Sequence, residues 1–454
     1  MSNSTQLKVG FGRVNVNPPM GIDLSGYFVE RKAQGILDDL EINTVAVSDG
    51  KNTVLLCAID NCAIPADYAE EVRKAISKKT GISTKAIYIH ATHTHTGPTI
   101  ALICGAVSTP MIEDYKAFVL TRFVDVCAFA LADLKPAKMG YGVGQAPNIA
   151  FIRRFRMKDG SVKTNPGVNN PDIVHPIGQV DEDVSVIRFD REGASTVVLV
   201  NFADHPDTVG GNFISGDWPT LTRHFVEKAI ENTNCIFFNG AQGDVNHVNV
   251  HPKGGDFNGL FEDFDGCSRG YDHAKHMARV ITGGVLQVYD KVTYTDNTQV
   301  KYLQKYYDIP ANKPDAKDLP LAHKYNDLHN AGRDDLIPFE AMELTTVVAE
   351  AGRMVRLENA PDNFSVLFSV ISIGNVALFG IPGEPFNGVG KAVKKANGYD
   401  MVIPTCITNS YEGYYPMQDA YDEGGYEARS SNFKAGVAEK IIDIGLEMLE
   451  QLKK

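Results

Sequence analysis

The chain lacks the features that would tie it to a membrane, a nucleic acid or the extracellular space. No apolar run approaches the length of a bilayer-spanning helix. No cluster of Lys and Arg is present and the formal net charge is −12, so neither phosphate backbones nor anionic lipid surfaces are favoured partners. The first residues, MSNSTQLKVGFGRV, hold no charged stretch leading into an apolar one, so no signal peptide is expected. Cysteine is sparse: there are seven, an odd number with no CxxC pair, which suits reduced thiols in a cytoplasmic protein better than a disulfide framework. Six of them, Cys57, Cys62, Cys104, Cys127, Cys235 and Cys406, sit in apolar company and are expected in the core. No low-complexity linker divides the chain. What remains is 454 residues of ordinary soluble composition, 43% hydrophobic and 22% charged, with room for one large α/β domain or a few smaller ones.

A hairpin–helix–strand pattern occurs three times. In the first occurrence, Asn43–Val47 and Thr53–Ile59 flank an Asp49-Gly50 turn, a combination that reads as a β-hairpin. A helix with Pro65 near its start and Tyr68, Val72 and Ile76 on one face follows, and then a strand, Ala86–Ile89. The second runs from Val184–Phe189 and Thr196–Phe202 through a helix starting near Asp217, with Leu221, Phe225 and Ala229 on one face, to Cys235–Phe238. The third runs from Phe364–Ile373 and Val376–Phe379 through a helix with Phe386, Val389 and Val393 inward to Met401–Ile407. Unusual polar residues follow the strands each time, and ligands of open α/β sheets gather at the carboxyl ends of strands. Further helices are expected over Asp114–Leu134, Ser268–Val288 and Asn432–Lys453, a loop over Ala146–Asn170, and an inserted helical excursion over Tyr302–Arg333.

The densest chemistry is IHATHTHTGP, where His90, His93 and His95 stand three in six residues at a strand end. On extended backbone His93 and His95 face the same side and could share a metal, or divide its binding and substrate contact between them. His90 reads as a strand residue that packs or hydrogen-bonds. His205, before Pro206, is biased towards extended backbone. Glu384, between Gly383 and Pro385 after an apolar strand, needs a cation or hydrogen-bond donors if buried. His93, His205 and Glu384 together match the two-imidazole, one-carboxylate set of hydrolytic zinc sites, in which an open position activates water. The residue types alone do not select them over His175, His224 or His247.

HTHTGP resembles the HTHSGP motif of the neutral/alkaline ceramidase family of zinc-dependent amidohydrolases. VNFADHP is similar to that family's second-histidine segment, FNGAQGDVN to its GDVSPN loop, and GIPGEPF to its PGEF segment. TNSYEGYYPMQDAYDEGGYEA resembles its N-x-Y-x-x-Y…EEY…RYEA stretch, and the motifs keep family order from about Val9 to Phe433. The resemblance implies a single mixed-sheet α/β catalytic domain over 1–454, with a metal site at strand ends. It implies zinc ligands His93, His205, Glu384 and Tyr414, the phenol becoming a ligand once the metal lowers its pKa. It places His95 beside the metal as oxyanion stabiliser or proton relay, and Arg153 or Arg154 as the active-site arginine.

Three departures bear on substrate. Asn246 stands where the family's proposed serine nucleophile would be, and an amide cannot form an acyl-enzyme. Gly425 replaces the arginine of RYEA, and the family's C-terminal β-domain is not expected here. The leading expectation is a cytoplasmic zinc hydrolase in which metal-bound water attacks an amide or acyl bond of a small polar substrate. The alternatives are a zinc hydrolase of an ester, lactone or carbohydrate derivative, and a non-catalytic metal- or ligand-binding protein. Oligomeric state is not legible.

Overall fold

The structure, a computed structural model, describes residues 6–253 and 270–453. All three expected units form, and each has the same internal geometry. Glu41–Ser48 pairs antiparallel with Thr53–Ile59, and a crossover helix, Ala66–Thr80, returns the chain as Ile87–Ala91, parallel to the middle strand. The second unit repeats this with Asp183–Arg191, Thr196–Phe202, helix Asp217–Ala229 and Thr233–Asn239. The third uses Asn363–Ile373, Val376–Gly380, helix Asn387–Val393 and Met401–Thr405. Local chemistry explains the joints. The Asp49 carboxylate accepts the N–H groups of Lys51 and Asn52 at 2.8 and 2.7 Å, closing the first hairpin. The first helix buries Tyr68, Val72 and Ile76 and stops at Gly81, whose N–H caps Ser77 O.

The first two units lie at opposite ends of one nine-stranded sheet, joined through Lys8–Asn15 and Lys135–Gln145; their last strands form its two edges. The third unit builds a four-stranded sheet with Val300–Pro310. Leu56, Leu199, Phe238, Ile371, Leu378 and Ile403 come from all three units and share one buried cluster, so the sheets meet face to face. Helices cover the outer faces. The first helix and Pro110–Ala132 seal one flank, Asp217–Ala229 and Tyr271–Val288 another, and the terminal helix Val437–Lys453 the third. Among the described residues no helix is long and apolar enough to cross a membrane.

Several local expectations shift. Residues 300–310 are strand, not part of a helical excursion. Leu303, Tyr307 and Ile309 face the outer core while Tyr302 packs on the central one, a period-two pattern hidden in sequence by the intervening charges. Only Leu319–Asn330 of that span is a regular α-helix. The stretch from Ala146 to Asn170 carries short strands at Phe151–Ile152, Arg154–Met157 and Val162–Thr164 rather than plain loop. The second unit's helix buries Trp218, Leu221 and Val226, leaving Phe225 half-buried and Ala229 exposed. Cys104 is half-buried, unlike the other described cysteines. The start of the helix expected from Ser268 lies outside the described residues.

Candidate metal centre

The strand ends of the three units converge. Cys62 and His205 stand three residues beyond their middle strands, Ile59 and Phe202 being the last strand residues, and Glu384 stands four beyond Gly380. His93 and His95 follow the first unit's last strand. His93 adopts φ 76, a conformation costly for a side chain with a Cβ, and its N–H is held by Asn61 O at 2.8 Å. The ring's Nδ1 donates to Cys62 O at 2.7 Å, so its Nε2 carries the lone pair into the centre.

That nitrogen lies 3.2 Å from His205 Nε2 and 3.3 Å from Glu384 Oε2, and His205 Nε2 lies 3.5 Å from the same oxygen. A tetrahedral ion with ligands at ~2.0–2.1 Å has ligand–ligand edges of about 3.3 Å, so the three atoms are spaced as the base of such a site. Glu384 is 1% exposed, and its Oε2 has no hydrogen-bond partner among the described residues, which is costly for a carboxylate unless a cation completes it. The donor set fits zinc. Glu384 Oε1 accepts from Tyr411 Oη at 2.8 Å, fixing which oxygen faces inward.

His95 also points Nε2 at the centre, 3.2 Å from His93 Nε2. Cys62, His93 and His95 form a second triple of convergent ligand atoms. Tyr414 is the register partner of Glu384 in a short parallel bridge, and the Arg153 guanidinium lies 5.5 Å from its ring centroid. Arg153 is the arginine that enters. It is held by Glu427 at 2.7 Å and Gly243 O at 2.8 Å, and its Nη1 is 3.5 Å from His205 Nδ1. Arg154 turns away, onto Gly424 O and the Phe386 ring. Asn246 is buried, but its amide donates to Asn165 Oδ1 at 3.0 Å and its oxygen accepts from Val248 N.

His90 has a different duty. Its Nδ1 donates to Cys406 O at 2.8 Å and its Nε2 accepts from Asn239 N at 2.9 Å, so one ring ties the last strands of all three units together. Burial pushes its pKa down to about 3, keeping the ring neutral as these two bonds require. Electrostatics divide the other rings. Burial lowers His93, but Glu384 and Cys62 outweigh it and raise its pKa well above the ordinary value. Burial, then Arg153 and His93, push His205 down to about 3; burial and the neighbouring imidazoles also lower His95. Burial would raise Glu384, yet His93 and His205 hold it well below the carboxylate range.

The competing histidines lie elsewhere. His175 is exposed, His224 is partly exposed near Glu41, and His247 pairs with Asp207 at 3.0 Å. Sequence reasoning missed Tyr411, Cys62 and Glu427 as neighbours of the site. Tyr411 was within reach as the first tyrosine of the N-x-Y-x-x-Y stretch and Glu427 as the glutamate of the segment resembling RYEA, whereas the Cys62 contact carries no local signal. Gly26 and Tyr27, which touch His95, also line a cavity of about 790 Å³ together with Arg31 and Lys32.

The chain shares its fold with the neutral ceramidase from Pseudomonas aeruginosa, at a TM-score of 0.74 and 16% identity, over 99% of this chain and 75% of that one. A ceramidase complexed with C2 matches at a TM-score of 0.71 and 15% identity, over 99% of this chain and 76% of that one. No protein-family model and no curated protein matches the sequence. At these identities the likeness establishes the fold, and the mixed α/β architecture implied by the motifs is the one observed.

Proposed function

We propose that this chain is a single-domain zinc hydrolase of ceramidase type, cleaving an amide or related acyl bond in a small polar substrate. The observation that carries the reading is the mutual 3.2–3.5 Å spacing of His93 Nε2, His205 Nε2 and Glu384 Oε2, the last a buried oxygen without a hydrogen bond among the described residues. Tyr414 is the fourth ligand in this reading, supported by its pairing with Glu384. Bound there, zinc supplies Lewis acidity and water acidified towards neutrality.

The protein's own groups do the rest. Tyr411 orients Glu384, and Cys62 O fixes the His93 tautomer. Arg153, immobilised by Glu427, sets a positive charge behind His205 and over the Tyr414 ring, at the edge of the centre where negative charge would develop on the substrate oxygen. His95 stands beside His93 to donate to that oxygen or return a proton to the leaving group. Asn246 offers no nucleophile and its amide is engaged with Asn165, so no acyl-enzyme is expected.

Asn246 and Gly425, where the chain departs from the family motifs, are what favour a small polar substrate over a two-chain lipid in this reading. The cavity lined by the Asp23–Lys32 segment, about 790 Å³, is of small-molecule size and mixes apolar side chains such as Leu24, Phe28, Val29 and Ile103 with Asp23, Glu30, Arg31 and Lys32. Gly425, where the family motif has arginine, takes φ +109 beside Thr164, Arg154 and Glu427, so no side chain of its own reaches the site. Buried free thiols at Cys57, Cys62 and Cys127 suit a reducing compartment.

The test is metal analysis followed by a panel of N-acyl and O-acyl compounds on the zinc-replete protein. One zinc per chain, turnover of small N-acyl compounds faster than of long-chain ceramide, and no burst phase are expected. Faster turnover of ceramide, or a trapped acyl adduct, overturns the substrate or the single-step scheme. Preference for O-acyl compounds moves the bond to an ester or lactone, and stoichiometric zinc with no turnover on any compound makes the protein a binder.

A further inference from the structure

His95 is held in an unusual way. Buried histidines beside a metal centre are normally oriented by a hydrogen bond at the second ring nitrogen, as His93 is by Cys62 O. His95 is 8% exposed and its Nδ1 has no hydrogen-bond partner among the described residues, so none of them sets its ring in that way. The segment Asp23–Lys32 surrounds it instead. A Cβ built on Gly26 would lie 2.6 Å from His95 Cγ and 2.7 Å from its Nδ1, and Gly26 has φ +101. The glycine backbone therefore packs directly on the imidazole face and edge. Tyr27 stands edge-on to the ring, with centroids 5.2 Å apart. Arg31 ties the arrangement down: one Nη donates to both Ser25 O at 2.6 Å and His95 O at 2.7 Å, the other to Gly211 O at 2.9 Å. Its guanidinium lies 4.2 Å from the Tyr27 ring centroid. Ser25 N to Gly97 O, at 3.0 Å, and Thr99 N to Asp23 O, at 2.8 Å, lace the same segment along the HTHTGP run.

We infer that Gly26 and Arg31 are positioning residues for His95, setting its ring by steric contact and by anchoring its backbone where a hydrogen-bonding partner is absent. The inference rests on His95 acting at the proposed centre. A ring free to turn about its χ angles would carry Nε2 away from His93, and misplacement of about 1 Å costs on the order of 10²-fold in rate. Other residues that touch His95, His93 and His205 are held by their own bonds and do not substitute for this contact.

The experiment combines Gly26→Ala and Arg31→Met, each in the wild-type and the His95→Ala backgrounds, with zinc content, kcat, KM and the imidazole NMR signals of His95. Gly26→Ala is expected to lower kcat about 10–100-fold, with KM within about twofold and zinc retained. Arg31→Met should act in the same direction, and both should shift the His95 ring signals. Once His95 is alanine the Cγ and Nδ1 that the new methyl would strike at 2.6 and 2.7 Å are gone, leaving the Cβ contact at 3.0 Å and the φ +101 backbone, so the loss of kcat caused by Gly26→Ala should shrink to less than about fivefold. An equal loss in both backgrounds would mean general disruption and overturn the inference, as would unshifted His95 signals in both variants. If the wild-type protein turns over none of the panel compounds, the functional reading falls separately. The ring signals then still decide whether Gly26 and Arg31 set His95.

Discussion

Replacing His90 by alanine tests the claim that one histidine of IHATHTHTGP belongs to the architecture and not to the metal. The ring satisfies Cys406 O and Asn239 N, both buried. Stranding one buried polar group costs about 1–3 kcal/mol, so losing both partners should cost about 2–6 kcal/mol before counting the space left by the ring. The pH dependence is a second, independent mark. The folded-state pKa of His90 is pushed down to about 3, against an ordinary 6.5. Above pH 6.5 the ring is neutral in both folded and unfolded chains, and its stabilisation is complete. Between pH 6.5 and about 3 only the unfolded chain takes up the proton. Stability therefore falls by about 1.4 kcal/mol for each pH unit, or about 2 kcal/mol between pH 7 and pH 5. His90→Ala should show a pH slope shallower by one proton over that range, since the other histidines titrate in both proteins and cancel. Urea unfolding at several pH values measures both quantities, and metal analysis should still find one zinc per chain. Parallel slopes, a destabilisation under about 1 kcal/mol, or loss of zinc would each refute the reasoning.

Three further outcomes follow from the same geometry. His95→Ala should lose turnover by ~10²–10³ while keeping its zinc through dialysis; zinc loss would instead make both histidines of HTH ligands. Tyr411→Phe removes the 2.8 Å bond that orients Glu384 and should weaken zinc affinity about 10–100-fold in a chelator competition, with unchanged affinity counting against the assigned role. Arg223→Met leaves the fully buried Asp60 carboxylate without its two bonds of 2.8 and 2.7 Å and should cost about 3–5 kcal/mol in urea unfolding, much of it recovered by also replacing Asp60 with leucine. A cost below about 1 kcal/mol would show that the pair contributes no more than a surface salt bridge.

Much of the architecture was local enough to read. The three hairpin–helix–strand units follow from β-rich runs around turn residues and from apolar faces at helical spacing, which are properties of ten or fifteen neighbouring residues. The identity of candidate ligands was legible as well, because His93, His205 and Glu384 stand in unusual polar positions just past apolar strands. Where charges interrupted the period, as at residues 300–310, local reading mistook a strand for an excursion. Only the tertiary structure could bring His93, His205 and Glu384 within 3.2–3.5 Å of one another, since they lie on three separate units. It alone could send Arg153 inward and Arg154 outward, because Arg153 falls in the break between two short strands and Arg154 opens the second, a local turn of the backbone that sequence does not specify. The three histidines of one short run also acquired their separate surroundings there: His90 among the strand ends of other units, His93 against Cys62 and Glu384, His95 under Gly26. Residue types are inherited from the chain, but the distance between groups hundreds of residues apart is set by how sheets pack, and it is distance that turns imidazole and carboxylate into a candidate metal centre.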